Sequence, residues 1–256
     1  MAAPSVPAPS PRSAVPAPAP LVVGDGRTVR LISLGGDPTD HLLTRIAGDI
    51  GDAVAAVEKF WGTDWDREIV VIATGSQPQF LAEAGLDPNR QWQDIAAVSV
   101  ADSVDLAHHR ASGQRMVFAP GAVAMSDQSL RIVLTHELFH LAARADTALD
   151  APRWLVEGVA DFVARPATPL PPGAAADTAP PTDADLDAAG PQRVRGYDRA
   201  WWFARFVADS YGVDALRRLY VEACGPDHGD FDTAVRRALN IDVAELRARW
   251  AQWLTR

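Results

Sequence analysis

The chain has 256 residues and a mass of 27.4 kDa, with 48% hydrophobic and 22% charged side chains, enough apolar material to bury a substantial core. A net charge of −9 and a pI near 5.1 argue against nucleic acid or an anionic membrane as the main partner, because their phosphates call for a basic surface. A single cysteine, Cys224, excludes an internal disulfide, a cysteine-based zinc knuckle and a CxxC redox pair, and no apolar stretch approaches the roughly 18–20 residues needed to span a bilayer.

Residues 1–20 are a Pro/Ala/Ser tract without the basic start and continuous apolar core of a signal peptide. They read as an extended spacer, either the remnant of a leader or anchor or a disordered terminus. Residues 28–33 (TVRLIS) are β-branched and apolar and end at Leu34-Gly35-Gly36-Asp37-Pro38, which predicts a strand and a turn. From Thr39 onward, Leu42, Leu43, Ile46, Ile50, Val54, Val57 and Phe60 recur at helical spacing, with Asp37 or Thr39 as N-cap. Residues 68–73 predict a buried strand, and 94–101 and 115–120 predict two more, joined by a polar loop carrying His108 and His109. A helix is predicted over 126–144, capped by Ser126 or Asp127, and after a loop at 145–152 a second runs over 153–164 and stops before Pro166. Residues 165–196 are rich in Pro, Ala, Asp and Gly, and a connection this long is usually functional or disordered. Three or four helices close the chain. The fold class is therefore α+β: a spacer at 1–20, then one domain over 21–256, sheet-containing over 21–126 and helical over 127–256, with loop 166–196 inside the helical half.

Residues 136–140 read His-Glu-Leu-Phe-His in the middle of the 126–144 helix. Side chains four apart share a face, so His136 and His140 can reach one metal ion while Glu137, one step round, points beside it. A helix burying these three polar groups without partners would be costly. A catalytic zinc also needs a third protein ligand and an open position for water. Two residues are candidates. Asp146 stands where the pattern H-E-x-x-H-x-x-G-x-x-H of the metzincins places its third ligand, but Ala143 replaces the turn-making glycine and every methionine precedes the motif, leaving no downstream Met-turn. Glu157 lies in Trp154-Leu155-Val156-Glu157-Gly158-Val159-Ala160-Asp161 on the next helix, and Asp161 shares its face as a supporting carboxylate. Gly158 is costly inside a helix unless another element comes close, and a tight crossing against the HELFH helix would explain it.

H-E-x-x-H, a gap of 16 residues and then E-G-x-x-D resembles the gluzincins, the thermolysin-like zinc peptidases. More closely, HELFHLAAR followed by APRWLVEGVADFV is similar to small bacterial peptidase-MA-like metallohydrolases, sharply over 130–165 and more weakly over 197–220. Roughly the first hundred residues match only in general layout. The resemblance implies a zincin-like fold: a small mixed β-sheet with an N-terminal helix, an HExxH active-site helix below a cleft bordered by the sheet's edge strand, and a C-terminal helical lobe. It implies one zinc ion held by His136, His140 and Glu157, with Asp161 orienting a ligand histidine.

Glu137 is then the general base that passes a water proton toward the leaving amine. Gluzincins commonly add a Tyr or His donor for the oxyanion; Tyr197, expected to open the helix after the long loop, is the first choice, ahead of His228, His108 and His109. Residues 115–120 are expected as the edge strand along which an extended peptide adds, with a peptide or protein as substrate. Loop 166–196 is either a lid or a passive surface excursion. Trp201 and Trp202 read as core and Cys224 as a buried small hydrophobe. Two other functions stand beside peptidase: a zinc hydrolase of a non-peptide amide or ester, and an inactive zincin-fold binding module, against which the presence of Glu137 argues. Similar families are often secreted or tethered outside the membrane, and the spacer agrees with an extracytoplasmic location.

Overall fold

The apolar runs of the first half form strands of one sheet. The computed structural model describes residues 21–89, 92 and 95–256; the 1–20 spacer and Asp94, where the predicted 94–101 strand begins, lie outside the described residues. In chain order the strands are β1 (Leu21–Val23), β2 (Arg27–Ser33), β3 (Glu68–Ala73), β4 (Ala97–Val100), β5 (Ser103–Asp105), β6 (Arg110–Ser112) and β7 (Arg115–Phe118). The main sheet runs β1-β2-β3-β7-β4, with β2, β3 and β7 parallel and antiparallel strands on both edges. β5 and β6 form a separate antiparallel hairpin around the turn that carries His108 and His109, a region expected to be loop.

Parallel strands in the middle of a sheet are covered on both faces and so carry continuous apolar runs. Ile69, Val71, Ala73, Met116 and Phe118 face the main core, while Val70, Ile72 and Val117 pack on the other side with Phe80. β7 is thus interior, bonded to β3 on one side and β4 on the other, which corrects the expectation that 115–120 is the edge. The edge on this side of the sheet is β4, whose residues after Ala97 are only partly buried.

Helix α1 (Asp37–Trp61) lies across the sheet on its ten buried side chains, from Thr39 to Trp61. It starts at Asp37, capped by neither Asp37 nor Thr39. The Thr39 hydroxyl instead folds back to accept from the Gly35 amide at 3.0 Å and donate to the Gly36 carbonyl at 2.8 Å. The turn needs glycine, because a Cβ on Gly35 would lie 2.5 Å from the Gly75 Cα. A short helix not read from the sequence, α2 (Gln77–Ala84), starts at Ser76, whose side chain accepts from the Gln79 amide.

Ser126 accepts from the Ser129 amide and starts α3 (Asp127–Ala143), which is enclosed by α1, the sheet and α4 (Arg153–Ala164). The chain continues through α5 (Asp183–Asp187), α6 (Pro191–Tyr211), α7 (Val213–Cys224), α8 (Phe231–Leu239) and α9 (Val243–Trp253). Segment 166–196 packs as a structured excursion. Ala174 and Leu186 are buried, Arg199 holds Asp177 and the Ala179 carbonyl, and the Trp154 amide donates to Asp183 at 2.7 Å. Because α6 starts at Pro191, Tyr197 sits well inside it and not at its start. Trp201, Trp202 and Cys224 are buried, as expected. No helix among the described residues is long and apolar enough to cross a membrane.

Candidate metal centre

The i, i+4 spacing on α3 brings the two histidine rings together, with Nε2 atoms 3.0 Å apart. α4 crosses α3 so that Glu157 Oε2 lies 3.2 Å from His136 Nε2 and 3.8 Å from His140 Nε2. Zinc holds its ligands at about 2.0–2.1 Å in a tetrahedron, so donor atoms around one ion stand about 3.3 Å apart. The observed separations match that spacing. Among the described residues, His136, His140 and Glu157 are the only group of three potential ligands whose donor atoms lie within 4.8 Å of one another.

Behind His136, Asp161 Oδ1 accepts from Nδ1 at 3.0 Å, which leaves Nε2 turned toward Glu157 and His140. Asp161 is itself held: Arg165 donates to its other oxygen at 3.1 Å, reaches Asp198 at 2.9 Å, and lies over the Trp201 ring. Burial alone would lower the His136 pKa, but hydrogen bonds to Asp161 and Glu157 raise it well above its ordinary 6.5. Burial would raise Glu157, yet the charge of His140 and the hydrogen bonds from both histidines hold it well below the usual carboxylate range. Protons thus supply the positive charge that the cluster of carboxylates draws in.

Glu137 is 8% exposed and lies outside the triad. Burial raises its carboxyl, against the lowering effect of His136 and His140. The α3 backbone at Glu137 is tied to the sheet edge by Ser99, whose hydroxyl donates to the Glu137 carbonyl at 2.6 Å. Tyr197 faces the same cleft; burial first, and then the charge of Glu157, push its phenol up to about 12, so its hydroxyl keeps its proton at neutral pH.

These groups line a cleft of about 580 Å³, walled by residues 95–99 on one side and by Ile132, Val133 and Val156 on the others. The Ala96 carbonyl bonds the Ala119 amide across the β7 side, whereas the Ser99 carbonyl turns away from β7 and accepts from Arg144 Nη2 at 2.6 Å. Alternate residues of an antiparallel strand direct their main-chain groups to opposite sides, so Ala97 presents its N–H and C=O to the open edge as Ser99 does.

Gly158 has a different neighbour from the one expected. A Cβ there would lie 2.4 Å from the Ala200 carbonyl oxygen, so the close approach is by α6, not α3. Asp146 is not among the converging ligand atoms; it bonds His109 on the β5–β6 hairpin. His108 pairs with Asp105 and His228 with Asp150, and none of these histidines lines the cleft. No residue of 166–196 lines it either. Sequence reading missed Ser99, Arg144 and Arg165; the last two had a signal, each lying one helical turn beyond a candidate site residue, His140 and Asp161. No protein-family model matches the chain, and no curated protein matches it.

Proposed function

We propose that the protein is a zinc-dependent metallopeptidase of gluzincin type, with a zincin-like arrangement of sheet, HExxH helix and helical lobe. The observation that carries the reading is the convergence of His136, His140 and Glu157 beside the buried carboxylate of Glu137, under an open strand edge. Two imidazoles and a carboxylate suit zinc and leave a coordination position free. Bound by these three residues, the ion supplies a Lewis acid that eases ionisation of water.

Glu137 takes the proton of the attacking water and returns it to the leaving amine, a role suited to a carboxyl whose pKa burial has raised. Tyr197 donates a hydrogen bond to the carbonyl oxygen as negative charge builds on it. Asp161 keeps His136 in the tautomer that offers Nε2. The main-chain groups of Ala97 align an extended peptide along β4, and Ile132, Val133 and Val156 receive its apolar side chains. The Pro-rich spacer suits action outside the cytoplasm.

Purified protein supplied with zinc is expected to hydrolyse casein, and Glu137→Gln to keep its zinc while losing roughly 10²-fold or more in rate. Undiminished hydrolysis in that variant would overturn the assignment. Bound zinc with no cleavage of any polypeptide would move the reading to a non-peptide amide or ester.

A further inference from the structure

Arg144 ends α3 one turn beyond His140 and lines the cleft with it. Its Nη2 is committed to the Ser99 carbonyl, its Nε is buried without a partner, and no carboxylate among the described residues pairs with it. The other buried or half-buried arginines among the described residues are all engaged: Arg27, Arg45, Arg115, Arg165 and Arg199 each hold a carboxylate, and Arg205 lies over Trp201 and Trp253. A desolvated guanidinium with no carboxylate in ion-pair contact is an expensive feature; this one faces the cleft, where the more distant charge of Glu137 acts on it.

Its bond to Ser99 adds a second observation. Ala97 and Ser99 are the β4 residues that face the open edge, and Arg144 already occupies the Ser99 carbonyl. A chain added along β4 therefore loses its next main-chain partner where the cation stands. Four helical residues rise about 6 Å, and an extended chain covers about 3.3 Å per residue, so Arg144 stands about two residues from a bond positioned at His140.

We propose that Arg144 is the carboxylate-recognition residue of the cleft, binding either the terminal carboxylate of a peptide or an Asp or Glu side chain about two residues from the cleaved bond. This rests on the peptidase reading for the identity of the ligand, but not for its charge. A guanidinium already held by Ser99 presents its remaining N–H groups at little further entropic cost, and charge-assisted hydrogen bonds are about twice as strong as neutral ones.

The test is binding to zinc-loaded Glu137→Gln protein of acetylated alanine pentapeptides of three kinds: one with a free C-terminal carboxylate, its C-terminal amide, and a series of amides with one Asp moved through each position. At least one carboxylate-bearing peptide is expected to bind tenfold or more tighter than the neutral amide; the free-terminus peptide and the Asp series separate the two sources. Adding Arg144→Gln should reduce the preference to within twofold, and Arg144→Lys should leave part of it. A preference that survives in Arg144→Gln comes from the metal or the histidines and overturns the assignment, as does binding of every carboxylate-bearing peptide to the parent no tighter than the neutral amide, a comparison that needs no Arg144 variant to fold. Failure of the wild type to hydrolyse peptides, with the binding pattern intact, would sink the peptidase reading alone. Hydrolysis with no carboxylate preference would sink the Arg144 assignment alone.

Discussion

Histidine meets carboxylate in two places around α3, and the two differ in burial and in how many groups converge. Where α4 crosses α3, His136, His140 and Glu157 bring three donor atoms together, with Asp161 behind them and 16% to 19% of each triad side chain exposed. Past the C-terminal end of α3, Asp146 pairs with His109, which is 67% exposed, and His108 pairs with Asp105 nearby. The second place satisfies each histidine with one carboxylate and leaves nothing over. In the first, one carboxylate oxygen faces two imidazoles whose ring nitrogens also face each other, an arrangement that a cation completes. Spacing in the sequence offered both Glu157 and Asp146 as third ligand; geometry separates an ion-binding arrangement from a surface tie.

The largest effect expected from breaking that contrast is on metal content. Glu157→Ala should lose the zinc ion, while Asp146→Ala should keep it; loss in the second and retention in the first would invert the assignment. Asp161→Ala removes the acceptor that orients His136 and should weaken zinc binding by about 10- to 100-fold without abolishing it, as measured by competition with a chelator.

The same contrast has a pH dependence. His136 has a raised pKa in the folded metal-free protein, so the stability its protonated form contributes is fully present below its ordinary 6.5 and is lost as pH rises through the raised value. Zinc must displace that proton, so its affinity runs the other way and increases over the same window. Zinc titrations at about pH 6 and about pH 8 should show tighter binding at the higher pH, and unchanged affinity would count against His136 as a ligand. The smallest effect belongs to the surface tie: His109→Ala should cost at most about 1 kcal/mol in denaturant unfolding, as exposed ion pairs usually do, and leave zinc content unchanged.

What could be read from the sequence follows the range of the forces involved. Helical period alone places His136 with His140 and Glu157 with Asp161 on shared faces, because those relations span one turn. α4 runs over the predicted 153–164, its N-terminus following Pro152. Strand order is a matter of distant pairing, and the short apolar run of β7 gave no sign that β4 would pair outside it. The neighbour of Gly158 was hidden for the same reason, since Ala200 lies 42 positions on in another helix. Segment 166–196 reads as loop by composition, yet Arg199, Trp154 and Arg153 fasten it through contacts that no local pattern reports. Arg144 was legible in principle, one turn beyond His140, but its lack of a carboxylate partner emerges only in three dimensions.

The most direct test of the central claim is casein hydrolysis by chelator-stripped protein as zinc is added back. Activity should be absent without metal and rise to a plateau at about one ion per chain, with Glu137→Gln flat throughout. Activity that persists in stripped protein, or no activity at any zinc level, would contradict it.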